Sequence, residues 1–192
     1  MKNQLLIFVL ALLTITACKE AETNKENTVT EEVEREVTDH TDTFNQRMEI
    51  LHAFFNAHGE ENLEAQLAML SDTLKFNSPR YGSEWQNKEA FAEVIKSYHD
   101  NFDDITYTAG ITLPNNVGNG YFSGNQYSTD GTVNNAAAVI RCYGTWNATH
   151  TETGKAVGVK FFTVASFNED NKIVMFSDYW NVDGLASQLA QE

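Results

Sequence analysis

The stretch 136–180, AAAVIRCYGTWNATHTETGKAVGVKFFTVASFNEDNKIVMFSDYW, decides the fold. It contains three runs rich in β-branched and aromatic residues, at about 136–149, 155–168 and 172–181. Thr153-Gly154 and Asn168-Glu169-Asp170-Asn171 separate them, and both are strong turn sequences. Three strands joined by such short turns form an antiparallel meander. Side chains alternate along a strand, so Phe176, Asp178 and Trp180 share one face of the last one. Trp146 falls on the same face of its strand as Ile140, Cys142 and Gly144.

Working outward, residues 121–128 predict an irregular strand before Asp130-Gly131, and 114–120 predict a loop. From Ile105 the pattern alternates through Tyr107, Ala109, Ile111 and Leu113, a further strand. Upstream the period changes. Phe44, Met48, Leu51 and Phe55 recur at four, three and four residues, an apolar helical stripe closed by Gly59. Leu63, Leu67 and Leu70 mark a shorter helix. Leu74 and Phe76 read as a strand stopped by Asn77-Ser78-Pro79. Asn87 is the expected cap of a third helix whose buried side carries Phe91, Val94, Ile95 and Tyr98. Leu185 and Leu189 belong to a short C-terminal helix. Helices first and a strand meander afterwards describe an α+β arrangement, not a doubly wound sheet.

The N-terminal region obeys different rules. Lys2, an apolar run at 5–13 and Thr14-Ile15-Thr16-Ala17 have the parts of an export signal. The run is shorter than the ~20 residues a spanning helix needs. Ile15-Thr16-Ala17-Cys18 resembles the lipobox of bacterial lipoproteins. That resemblance implies removal of residues 1–17 and acylation of Cys18 by palmitate-type chains, anchoring the chain to the cell envelope. Lys19, rather than Asp, after the cysteine points to an outer membrane. Residues 18–38 carry Glu20, Glu22, Glu26, Glu31, Glu32, Glu34 and Glu36 and no aromatic residue. Such a segment buries too little to fold alone and reads as an acidic tether. The folded domain is expected over 39–192.

The chain carries a formal charge of −14, and losing residues 1–17 removes only Lys2, leaving −15. No Lys/Arg cluster offsets this, which argues against nucleic-acid binding. Two cysteines exist. With Cys18 acylated, Cys142 stands alone in an apolar strand, the setting of a small buried hydrophobe rather than a nucleophile. His52 and His58 lie on different helix faces and no His-x-x-x-His or paired-cysteine motif occurs, so no metal site is expected. No phosphate-cradling glycine loop or other cofactor motif is present either.

The element order, together with Gly154-Lys155, Asn171-Lys172-Ile173-Val174, Asp178-Tyr179-Trp180 and Leu185-Ala186-Ser187-Gln188-Leu189, resembles the SnoaL-like branch of the nuclear transport factor 2-like superfamily. Residues 76–81, with their proline before the third helix, fit as well. The likeness covers about 42–190 and implies a curved, mainly antiparallel sheet wrapped around the N-terminal helices as a cone with a cavity. Two features depart from the family: His150-Thr151-Glu152-Thr153-Gly154 is a stretched form of its histidine-glycine pattern, and the 114–128 loop is long.

The first candidate for chemistry is Asp178. On a cavity-facing side, desolvation between Phe176 and Trp180 suits a carboxyl group to acid–base work, and the family is thought to use an aspartate there. On an outer side it merely bonds nearby backbone. His150 is the second catalytic candidate, at a cavity rim, and a solvated turn histidine otherwise. Trp146, Trp180, Phe176, Tyr81 and Tyr98 are the ligand-binding candidates, although Trp146 and Tyr98 also suit plain core. His99 reads as a favourable cation near a helix C-terminus. Arg141 or Lys160 offers a partner for Asp178, or an outward-facing charge. Three functions remain open: an anchored domain binding a small, partly apolar molecule or a partner protein; a cofactor-free isomerase, cyclase or hydratase using Asp178; and a homodimerising module whose interior is filled.

Overall fold

The computed structural model describes residues 40–110, 120–123 and 137–191. The expected signal, Cys18 and the tether lie outside the described residues, as do 111–119 and 124–136. Among the described residues no helix is long and apolar enough to cross a membrane.

Helix α1 (Thr41–Gly59) presents the expected stripe inward, with Leu51, Phe54 and Phe55 almost completely buried. Gly59 ends it, but not through a left-handed backbone. A Cβ there would sit 2.7 Å from the Ile105 carbonyl oxygen, so close approach of a neighbouring strand requires the glycine. Helix α2 (Leu63–Met69) is capped by Asn62, whose Oδ1 accepts the Ala65 N–H at 3.0 Å. Its last expected residue, Leu70, instead opens strand β1 (Leu70–Asn77), where it lies opposite Ile173. The pull of sheet pairing overrides the helical spacing. Helix α3 (Lys88–Asn101) begins at its expected cap, Asn87 Oδ1 accepting the Ala90 N–H at 3.0 Å.

Strand β2 (Phe102–Ala109) follows α3 without a loop, and Asp104 takes a φ of 54° where the register slips. Strand β3 (Tyr121–Ser123) is short. The meander is as expected: β4 (Val139–His150), β5 (Ala156–Phe167) and β6 (Ile173–Trp180), followed by α4 (Val182–Ala190). The six-stranded sheet runs β1-β6-β5-β4-β2, with β3 also on β4. All pairs are antiparallel except β1 with β6. The result is an α+β cone: a curved, open sheet closed on its inner side by helices.

The core lies between α1, α3 and the sheet. Phe54 contacts Phe91 at 5.9 Å and Phe176 at 5.3 Å between ring centroids. Each fully buried ring of this kind contributes about 1.5–3 kcal/mol through area removed from water. At one end of the sheet Arg47 ties α1 to the turns. It donates to Ala137 O at 2.8 Å, Asn168 O at 3.0 Å and Asn171 Oδ1 at 2.9 Å, with its guanidinium over the Phe167 ring.

Candidate functional site

The other end of the cone is not filled. A cavity of about 110 Å³ remains there, walled by aromatic and aliphatic side chains from α1, α3, β4, β5 and β6. Trp146 forms one wall, stacked on Phe161 at 5.5 Å and edge-on to Phe55 at 5.4 Å. Trp180 and Leu185 stand where β6 passes into α4. Gln188 clamps α4 to β5, accepting the Gly158 N–H at 2.9 Å and donating to the Gly158 carbonyl at 3.0 Å. A Cβ on Gly158 would meet Asn147 Oδ1 at 2.9 Å and the Trp146 carbonyl oxygen at 3.3 Å, so a larger residue would have to displace the Asn147 side chain.

Polar groups enter this apolar space from β6, α3, α1 and α2. Asp178, half-buried on β6 on the same face as Phe176 and Trp180, lines the cavity. The Thr163 hydroxyl on β5, itself fully buried, donates to Asp178 Oδ1. Desolvation dominates, and it pushes the Asp178 carboxyl up to about 7, while the Thr163 hydrogen bond pulls the other way. Tyr98 lines the cavity from α3. Burial first, and the nearby Asp178 charge second, push its hydroxyl up to about 12. The two groups are therefore electrostatic neighbours: a carboxyl poised near neutrality and a phenol that keeps its proton.

His58 comes from α1 with its ring edge-on to Trp146 at 5.0 Å. Its Nδ1 lies 2.9 Å from His99 Nε2, so one of the two nitrogens carries a proton and the other accepts it. Burial and the neighbouring His99 hold His58 down at about 3, and burial also lowers His99. Both rings are neutral near pH 7. The expectation of His99 as a helix-terminal cation fails because burial disfavours its charged form. Gln66, on α2, is only 1 % exposed and also lines the cavity.

The structure thus brings Asp178, Trp146, Trp180, Phe176 and Tyr98 together around one space. It does not bring His150 or Tyr81 there. His150 sits at the end of β4 with Nδ1 2.9 Å from the Thr153 hydroxyl, held by its own turn and by the Phe102 ring. Tyr81 is fully exposed in the turn before α3. Lys160 alternates to the exposed outer face, so Thr163 is the hydrogen-bond partner of Asp178. Cys142 is fully buried, 3.2 Å from the Tyr107 hydroxyl, and burial pushes its thiol up to about 12, which leaves it inert. Among the described residues no cluster of potential metal ligands occurs.

The features missed by sequence reasoning are Gln66, Thr163 and the His58–His99 pair. Two of them had a signal. Gln66 follows Leu63 by three and precedes Leu70 by four, and His58 follows Phe55 by three, so both occupy apolar-stripe positions.

The α+β cone is the nuclear transport factor 2-like fold, as comparison with solved structures shows. A SnoaL-like protein from Shewanella denitrificans superposes with a TM-score of 0.56 at 8 % identity, covering 77 % of this chain and 98 % of that one. An NTF2-like protein from Burkholderia thailandensis gives 0.52 at 12 %, covering 76 % and 98 %. The epoxide hydrolase/cyclase-like enzyme SalBIII, of pyran ring formation in polyether salinomycin, gives 0.52 at 14 %, covering 73 % and 94 %. No protein-family model and no curated protein matches the sequence.

Proposed function

We propose that the cavity binds a small, partly apolar molecule and that Asp178 moves a proton on it, as the acid–base group of a cofactor-free isomerase, cyclase or hydratase. One observation carries this reading: the Asp178 carboxyl sits near neutrality in an apolar cavity beside the Tyr98 hydroxyl. A general acid–base group works best when its pKa lies near the ambient pH. Tyr98, protonated throughout the physiological range, supplies a hydrogen bond to an oxygen that gains charge as the proton leaves carbon. The epoxide hydrolase/cyclase-like neighbour is compatible with such chemistry on the same fold.

The test is proton exchange. Full-length protein in D2O would be incubated with a panel of small cyclic ketones and enones, each with and without a ring hydroxyl, and deuterium incorporation followed by NMR. The exchange rate should rise with pH through about 7 as the Asp178 carboxylate forms. Asp178→Asn should lower it by ~10²–10⁴-fold. Exchange that is unchanged in Asp178→Asn overturns the reading.

A second proposal rests on the sequence alone: the chain is held at the envelope through acylated Cys18, with 19–38 as spacer. Mass spectrometry of the N-terminal peptide from membrane fractions should find acyl mass on Cys18. An unmodified peptide beginning before residue 18 excludes it.

A further inference from the structure

Gln66 is the observation the proton-transfer reading does not use. Its side chain is 1 % exposed, on the cavity side of α2, and its Oε1 has no hydrogen-bond partner. Among the described residues it is the one buried side-chain nitrogen or oxygen in this condition. An unmet buried acceptor costs about 1–3 kcal/mol, and a methionine or leucine of similar size would avoid that cost. Other polar groups within the fold are met: Thr163 serves Asp178, His58 serves His99, and Tyr107 lies against Cys142. The position is also fixed locally, since the Asn62 cap sets the start of α2 one turn before Gln66.

We infer that Gln66 selects the ligand by accepting a hydrogen bond, so that the cavity takes a small, mostly apolar ring carrying a hydroxyl or N–H group rather than a plain hydrocarbon or a carbonyl compound without a donor. The inference rests on the proposal that the cavity is a ligand site, and it narrows the substrate class. At about 110 Å³ the space is smaller than the ~150 Å³ buried cavity that holds benzene, so it takes at most one small ring or a ring-sized part of a larger molecule. Apolar walls from Trp146, Phe54 and Ile95 receive the hydrocarbon part. An acceptor-only ligand leaves Gln66 Oε1 unpaired, and sites built this way discriminate against analogues that lack the matching donor.

The experiment is calorimetric titration of the full-length protein with cyclohexanol, cyclohexanone and methylcyclohexane at one pH. Cyclohexanol should bind at least tenfold more tightly than the other two. Gln66→Met should abolish that margin by weakening cyclohexanol alone, with a melting profile at least as stable as wild type. Gln66→Asn, which withdraws the amide by one methylene, should reduce the margin while preserving the amide. A margin retained in Gln66→Met, a preference for cyclohexanone in the wild type, or no binding of cyclohexanol at low-millimolar concentration each overturns the inference. An intact alcohol margin with no proton exchange would remove only the catalytic reading. Exchange that requires Asp178 with no margin to lose at Gln66 would remove only this one.

Discussion

The two ends of the sheet handle polarity in opposite ways. At one end Arg47 reaches from α1 into the turns, and each of its three donating nitrogens finds an oxygen within 2.8–3.0 Å. At the other end Asp178 is pushed up to about 7, His58 is held down at about 3, and Gln66 Oε1 has no partner. The first end spends its polar groups on holding elements together. The second leaves them in electrostatically costly states around the cavity, which supports the proposed ligand site.

Dependence on pH offers the sharpest way to break this contrast, because it belongs to the cavity end alone. The folded pKa of Asp178 lies above its ordinary 3.8. Its contribution is therefore fully present below pH 3.8 and is lost as pH rises to about 7, a difference of roughly 4 kcal/mol at about 1.4 kcal/mol per unit. Asp178→Asn should accordingly raise stability at pH 8 by up to that amount and change little at pH 4. His58 has the opposite sign. Its folded pKa is depressed, so its contribution is present above pH 6.5 and is lost as pH falls towards 3, by a similar slope. Urea midpoints of wild type, Asp178→Asn and His58→Gln across pH 4–8 read both effects, and a flat difference for either variant contradicts the assignment.

Next in size is the closed end. Arg47→Met leaves three acceptors without their charged donor and should cost about 2–3 kcal/mol at every pH in that range, with ligand affinity unchanged. A smaller effect of reversed sign is expected at Gln66: replacing the unmet amide with methionine should gain about 1–2 kcal/mol in the ligand-free protein. A loss of stability there would mean that the amide serves the fold. Tyr81→Ala, on a fully exposed side chain outside the cavity, should shift stability by less than ~0.5 kcal/mol and leave binding untouched.

The sequence made the meander legible because its turns are short and unambiguous and its alternation is regular. The face shared by Phe176, Asp178 and Trp180 follows from that alternation, and the cavity wall at β6 was readable for the same reason. The helical contribution was harder to read. A stripe of apolar residues announces which side of a helix is buried, but it does not say whether that side meets solid core or open space. Gln66 at a buried position and His58 at a half-buried one interrupt their stripes, and such interruptions are what a cavity adds to an otherwise ordinary amphipathic pattern. His150 and Tyr81 failed as candidates for the converse reason: residue type suggested chemistry, while position in a turn left each outside the cavity. The pairing of β1 with β6 depends on contacts a hundred residues apart, which no local pattern encodes.

That last pairing orders events in time. Lys75, Phe76 and Asn77 must wait for Met175, Phe176 and Ser177 to arrive before their edge of the sheet is complete. Closing so long a loop is entropically slow, and topologies dominated by distant contacts fold correspondingly late. Asp178 sits on the strand that arrives last. A chain cut short before β6 therefore assembles, at most, a shell of helices and hairpin with no acidic group inside it.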